Sequence, residues 1–420
     1  MSRTILDIHI LQVVPPSNIN RDDTGTPKTA NFGGVRRARV SSQAWKRATR
    51  KEFEGLVPDM DLGVRTKRVV QAVADRIAEL DESAKGTAVE LAAEVFQHAL
   101  GKKLETPKRK NKDQEPRSEV PESAYLLFLS ARQIEALARI ALSGEPGGDV
   151  KALKTHFKEK KNKDAAKAAI NTRHSVDIAL FGRMVADAAD LNVDASVQVA
   201  HALGIHRSDI ESDYFTAVDD RNEDEESGAG MIGVVDFNSA TLYRYAAVDV
   251  DALHRNLGVG FPAKEDANKQ DRAIPAAQAA RAFLDAFVHS LPTGKINTFG
   301  NHTLPSAVLV KIRDRRPISF VGAFERPVTQ AVNGGFLKAG CEALAQFVPD
   351  IESQYGLTRD TPPRSKESAS EDEPTLEPTS WIFRIGEDTD SLEELGDRLK
   401  LPELLEAVES ALSRRLGSST

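Results

Sequence analysis

Two runs near the start of the chain concentrate side chains that can bind anions. One is Asn20-Arg21-Asp22-Asp23. The other is Phe32-Gly33-Gly34-Val35-Arg36-Arg37-Ala38-Arg39-Val40-Ser41-Ser42-Gln43-Ala44-Trp45-Lys46-Arg47. In an extended segment Arg37 and Arg39 project to one side while Val35 and Ala38 can pack. Gly33 and Gly34 lack a Cβ and admit the close approach of a ligand to the main chain. Ser41 or Ser42 can cap a helix whose first N–H groups, with Gln43, face an anion, and Lys46, Arg47 and Arg50 lie in its first turns. Lys28 and Arg21 add charge from the preceding loop. The chemistry on offer is the binding of a strand of phosphates. A solvated basic surface with an ordinary capping serine would read the same way, and the residues alone leave both open. A nucleotide-hydrolysing loop is disfavoured, because no G-x-x-x-x-G-K-[ST] occurs.

The surrounding charge sharpens the point. The whole chain of 420 residues carries a net charge of −7. Between positions 21 and 51, however, nine basic residues stand against two acids, a local charge of +7. A second basic stretch, 151–167, holds seven lysines, among them Lys154, Lys158, Lys160, Lys161 and Lys163. Acids collect at 219–226 and 360–377. A polyanion senses the local field within a Debye length of about 8–10 Å, so the acidic average does not exclude nucleic acid.

Elements able to position these residues follow from periodicity. Positions 4–14 alternate as a strand that Pro15 and Pro16 should end. After a polar loop over 17–34, a short extended run over 35–40 leads into a helix with Trp45, Ala48 and Phe53 on one face. From about 62 to 191 the signal is mostly helical, with Val70, Val73, Ile77 and Leu80 as one stripe and further helices over 124–142 and through Ile178 and Met184. The segments 102–117 and 359–378 read as an exposed loop and an acidic linker. An acid- and glycine-rich stretch at 213–230 reads as a protruding hairpin or loop. Strand character returns at 234–250 with Phe237, Thr241, Tyr243 and Tyr245 in period two. A helix over 272–291, strands over 307–312 and 318–324, a helix over 336–355 and two helices within 391–416 complete the chain. This order predicts an α+β fold with a large helical insertion, preferably on a ferredoxin-like (RRM-like) core.

Asn-Arg-Asp-Asp followed by Phe-Gly-Gly-x-Arg-Arg-x-Arg-x-Ser-Ser-Gln-x-x-Lys-Arg-Ala resembles the N-terminal signature of CasC, the backbone subunit of type I-E CRISPR Cascade in the RAMP superfamily. Val176-Asp177-Ile178-Ala179-Leu180-Phe181-Gly182-Arg183-Met184, Phe215-Thr216-Ala217-Val218-Asp219-Asp220 and Tyr243-Arg244-Tyr245 resemble later patterns of that family, in family order. The resemblance is close over roughly the first 250 residues and weaker after about 290. It implies an RRM-like palm (1–60 and 234–420), helical fingers (61–191) and a thumb (192–233). It also implies a head-to-tail filament of copies along a CRISPR RNA, held with other Cascade subunits. The thumb displaces a nucleotide at intervals, and the bases between are presented to target DNA.

On this resemblance the RNA-contacting positions are Arg21, Lys28, Ser41, Gln43, Lys46 and Arg50. Met184, Phe215 and Thr216 match the wedge beside the displaced nucleotide, and the 154–163 lysines match a helix that holds DNA. Residues alone would place Met184 in the core and Phe215 at a hairpin base.

Catalysis is not expected. Asp22 and Asp23 could ligate a metal in a RAMP-type endoribonuclease, but an adjacent Asp pair is more often a turn former. His201 and His206 stand five apart, off a shared helical face, and no H-E-x-x-H or G-x-S-x-G occurs. The single cysteine, Cys341, excludes an internal disulfide and a multi-cysteine zinc site, and no cofactor is expected. No apolar stretch approaches the roughly 20 residues of a membrane span, and no signal-peptide pattern opens the chain, so a cytoplasmic place is expected.

Overall fold

The computed structural model describes residues 3–101, 104, 120–143, 148–185, 188–217, 231–261, 274–357 and 379–417. The segments 105–117 and 359–378, and the hairpin tip 218–230 with its Val218-Asp219-Asp220, lie outside the described residues. The fold is mixed α+β and divides into two units.

The first unit comprises 1–53, 198–249 and 280–420 and is built on a mixed sheet. Its strands run in the order Asp397–Arg398, Ser380–Arg384, Ala307–Arg313, Ile5–Ser17, Met231–Asp249, Ala202–Gly204, Val35–Val40 and Thr29–Phe32. Ile5–Ser17 lies antiparallel to both Ala307–Arg313 and Met231–Asp249, whereas Asp397–Arg398 is parallel to Ser380–Arg384. Strict alternation in the central strands gives each face its own core. On one face Ile5, Leu11, Tyr243, Tyr245 and Leu309 pack against Cys341, Leu344 and Val348 of the helix Leu337–Gln354. This face also buries a charged network. Asp7 accepts from Tyr245 Oη at 2.9 Å and from Arg313 Nε at 2.5 Å, while Arg313 and Lys311 both reach Glu352.

Three expectations within this unit are corrected. Pro15 and Pro16 do not end the first strand; the register shifts between Val14 and Ser17, and Ser17 pairs again with Asn238. Proline lacks an N–H, so the ladder skips it as a bulge and does not stop. Positions 318–324 form a 3₁₀ turn at Val321–Phe324 instead of a strand. The N–H of Ile318 goes to Asp7 Oδ2 and that of Phe320 to Tyr243 Oη, so side chains take the donors a ladder would need. Within 391–416 only Leu401–Gly417 is an α-helix, and Glu387–Leu395 is 3₁₀.

The second unit comprises 54–197 and 250–279. Helices Val69–Leu80, Ala88–Leu100 and Ala131–Ala141 enclose a core that includes Val70, Val73, Ile77, Leu91, Val95, Phe96 and Leu137. The expected helix over 124–142 begins only at Ala131. Leu127–Ser130 is a strand paired with Gly63–Thr66, and a capping box between Ser130 and Gln133 sets the helix start. The expected helix through Met184 ends at Phe181, because Arg183 forms an antiparallel bridge with Val193.

Candidate nucleic-acid interface

The basic segment folds as a β-hairpin followed by a helix. Thr29–Phe32 pairs with Val35–Val40 through a turn in which Gly33 and Gly34 have φ of 59° and 77°. A Cβ on Gly33 would stand 1.6 Å from the carbonyl oxygen of Glu325. Gly33 therefore admits this protein's own main chain, not a ligand as its sequence suggests. The helix Ser42–Glu52 starts at Ser41, whose Oγ accepts from Ala44 N. Trp45, Thr49 and Phe53 are buried on one side of that helix, Thr49 taking the place expected for Ala48.

Asn20 joins the parts. Its Oδ1 accepts the Ser41 N–H at 2.8 Å and its carbonyl accepts the Lys28 N–H at 2.9 Å. Lys28 in turn accepts from Arg39 N through its carbonyl at 2.9 Å. The loop carrying Arg21, the hairpin carrying Arg39 and the helix start thus meet at one residue. Arg39 donates from Nε to the Thr29 carbonyl and from Nη1 to Nδ1 of the exposed His201 at 3.2 Å. Partial burial lowers the His201 pKa, and the neighbouring charges of Arg39 and Lys28 push it further down. That ring is accordingly a neutral acceptor within a positive group.

The candidate side chains separate by exposure. Arg21, Gln43 and Arg47 are exposed, and Lys28, Arg39, Ser42, Lys46 and Arg50 are half-buried. Burial also lowers the Lys46 pKa. Arg37 is the correction: it is 0% exposed, and its guanidinium donates to the carbonyls of Phe32, Gly204, Phe324 and Glu325. It braces the hairpin from below and offers no charge to a ligand. Ser41 is also buried, with its N–H and hydroxyl both engaged, so its part is to cap the helix.

The hairpin expected at 213–230 is present in its described part. Glu211–Ala217 pairs with the first residues of Met231–Asp249, with Phe215 opposite Gly233 and Thr216 opposite Ile232. Phe215 and Thr216, adjacent in sequence, therefore lie on opposite faces of the ribbon. Phe215 is 40% exposed, and its ring lies across Gly233, where a Cβ would be 2.3 Å from it. Tyr214 was not singled out by its sequence; at 61% exposure, opposite the equally exposed Val234, it is a further aromatic surface on the Thr216 face. The alternation of Ser212, Tyr214 and Thr216 was the available signal.

In the second unit Met184 is 82% exposed, against the expectation of a core position. Its neighbour Arg183 is buried and donates to the carbonyls of Leu191, Phe128 and Ile170 and to Asn171 Oδ1, which fixes the chain beneath it. Lys154 follows Leu153 on Val150–His156, while Lys160, Lys161 and Lys163 lie on Lys160–Ala169. Lys154, Lys158, Lys160 and Lys161 are exposed and Lys163 half-buried, while Ala166 and Ala169 turn inward.

Asp22 acts as a turn former. Its Oδ1 accepts from Thr24 N, Thr24 Oγ1 and Thr26 N, and these bonds, led by the Thr24 hydroxyl, lower its pKa. His206 donates from Nδ1 to the Arg207 carbonyl, accepts the Thr241 N–H at Nε2 and stacks on Phe336 at 3.6 Å. Among the described residues no group of three or more His, Cys, Asp or Glu side chains is placed to hold a metal ion. No helix among them is long and apolar enough to cross a membrane.

The family model described as CT1975-like protein matches residues 6–396. A solved chain described as "CRISPR RNA-guided surveillance complex, pre-nicking" is 33% identical with a TM-score of 0.73, over 97% of this chain and 100% of that one. A second, described as "CRISPR RNA-guided surveillance complex", is 29% identical with a TM-score of 0.64, over 97% of this chain and 99% of the other. No curated protein matches. On a family match that spans most of its length, the chain belongs to the CT1975-like protein family.

Proposed function

We propose that this chain is a CRISPR RNA-binding backbone subunit of a Cascade-type surveillance complex, of the CasC kind found in type I-E systems. The observation that carries the reading is the junction at Asn20, which draws Arg21, Lys28, Arg39 and the start of the Ser42–Glu52 helix together. Cations on a loop, a strand and a helix start, set at one place, suit a run of phosphates better than a single anion. Kinship with chains of CRISPR RNA-guided surveillance complexes supports the guide as the ligand and other complex subunits as partners.

In this reading the first unit acts as an RRM-like palm and the second as fingers. Copies stack head to tail along the guide in the cytoplasm. Phe215 and Thr216 act as a wedge beside a displaced nucleotide, and the exposed Met184 of the second unit is a further apolar contact for an unstacked base, whose π-face must be covered. Lys154, Lys158, Lys160, Lys161 and Lys163 hold target DNA through its phosphates, and sequence is read by base pairing. The protein itself is non-catalytic.

Co-purification tests the reading: the expressed chain should bring down a discrete small RNA, released by salt. Recovery of no RNA, or of random fragments only, would overturn it. Incubating the protein with guide RNA and Mg²⁺ tests the non-catalytic part, which defined cleavage lost in Asp22→Ala or Asp23→Ala would refute.

A further inference from the structure

The Arg21 loop and the Phe215 hairpin perform different tasks in the proposed binding, yet one side chain ties them together. Asp236 lies on Met231–Asp249 opposite Ser212 of the hairpin. Its Oδ1 accepts from Ser212 Oγ at 2.7 Å and its Oδ2 from Thr26 Oγ1 at 2.8 Å. Its main-chain carbonyl accepts from Asn18 Nδ2 at 2.8 Å, and that amide also reaches the Gly25 carbonyl. Both ends of the loop that carries Arg21 are thus fastened to one residue of the hairpin stem.

Neither partner needs Asp236 in order to form. Glu211–Ala217 is paired to its neighbouring strand along its whole length by main-chain bonds. The loop closes on itself through Asp22, which holds Thr24 and Thr26. The Ser212 bond holds the carboxylate in place from within the hairpin, and the Thr26 bond has one remaining consequence, which is to fix the spacing between loop and hairpin. The same two hydroxyl bonds lower the Asp236 pKa, so the carboxylate that makes them is kept ionised at neutral pH.

We propose that Asp236 is a positioning residue that registers the hairpin against the Arg21 loop, so that phosphate grip and nucleotide displacement keep one fixed spacing along the guide. This rests on the reading of the chain as a guide-binding subunit. A strand held by phosphates at one point and wedged at another is displaced at a defined nucleotide only if the two points cannot slide.

The test uses the complex assembled on its guide RNA and a 2′-hydroxyl acylating reagent, which reports each nucleotide's freedom. The parent should show sharp reactivity peaks at displaced positions. Asp236→Ala removes no phosphate contact, so guide retention should fall by less than about threefold. The contrast between displaced and protected nucleotides should fall by roughly half or more, the scale expected when a coupling bond is removed. Thr26→Val, which cuts the link from the loop side, should blur the peaks in the same way, whereas Ser212→Ala leaves the Thr26 bond in place and should blur them less. Asp236→Asn should restore them, because an amide can accept from one hydroxyl and donate to the other. Unchanged peaks in Asp236→Ala or in Thr26→Val would overturn the proposal, as would failure of the asparagine to rescue. A parent chain that retains no guide would instead overturn the reading beneath it.

Discussion

The guanidinium of Arg244 stands 3.8 Å from the centre of the Trp45 ring, with Phe287 4.5 Å away. Arg244 is buried on the central strand Met231–Asp249, and Trp45 is the buried anchor of the helix that carries Lys46, Arg47 and Arg50. Among the described residues the charge meets no carboxylate there; it donates to Gln12 Oε1 and to the Phe287 carbonyl and lies against aromatic faces. Through this contact the cationic helix is seated on the sheet.

Arg244→Met should therefore destabilise the protein by about 1–3 kcal/mol, because the buried Gln12 Oε1 loses its donor and the Phe287 carbonyl keeps only the Ser290 hydroxyl, while the apolar volume is kept. Chemical denaturation of variant and parent checks this. A change within error would show that the acceptors find other donors and that the seat does not depend on Arg244.

Arg37 and Arg39 are two residues apart and should fail differently. Arg37→Met leaves four carbonyls without their donor and should cost about 3 kcal/mol of stability, with the salt dependence of RNA binding unchanged. Arg39→Ala should keep stability but flatten the log–log salt slope by about 0.7, the share of one phosphate contact on a single strand. Measuring both quantities for both variants decides the matter; an equal loss of slope in the two would contradict the assignment of Arg37 as a brace.

Lys46→Ala combined with Arg50→Ala should weaken guide retention and assembly while the circular dichroism spectrum stays as in the parent. Two contacts removed should lower the salt slope by about 1.4. Normal assembly in the double variant would count against the helix as part of the grip.

Lys158→Ala, Lys160→Ala and Lys161→Ala together should spare guide loading and weaken capture of target DNA, since these exposed lysines belong to the second unit while the Asn20 junction belongs to the first. Gel-shift titrations with guide and with target separate the two steps. An equal fall in both would rule out a dedicated DNA face.

Much of this arrangement was legible from residue types, and the failures share a cause. The strand over 35–40, the long strand with Tyr243 and Tyr245, and the helix after Ser41 follow from local periodicity, which is what a sequence displays. Arg37 was misread because an arginine in a basic run looks solvated, whereas its four acceptors come from Phe32 nearby and from Gly204, Phe324 and Glu325, far away in sequence. The 318–324 segment was misread for the same reason: Asp7 and Tyr243, which take its N–H groups, are remote along the chain. Met184 fell outside its helix because a bridge from Val193 interrupts the pattern. Short-range signals placed the elements; long-range acceptors decided which side chains remain available.

A last prediction concerns acid. Burial pulls the His174 imidazole down to about 4, and the charge of Arg183 adds to the effect. Neutral His174 accepts from Gln133 Nε2 at Nδ1 over 3.2 Å, and protonation there would set donor against donor. The ordinary value is 6.5, so between pH 6.5 and 4 the unfolded chain binds a proton that the folded chain does not. Stability contributed by the neutral ring is therefore complete above that window and is lost as pH falls through it. His174→Gln keeps an acceptor for Gln133 without titrating. From pH 7 to pH 5 the parent should lose about 2 kcal/mol more than this variant, read as the difference between their denaturation free energies. The other buried histidines are common to both proteins and cancel in that difference. Parallel losses in the two proteins would mean that the folded chain protonates His174 as readily as the unfolded one does.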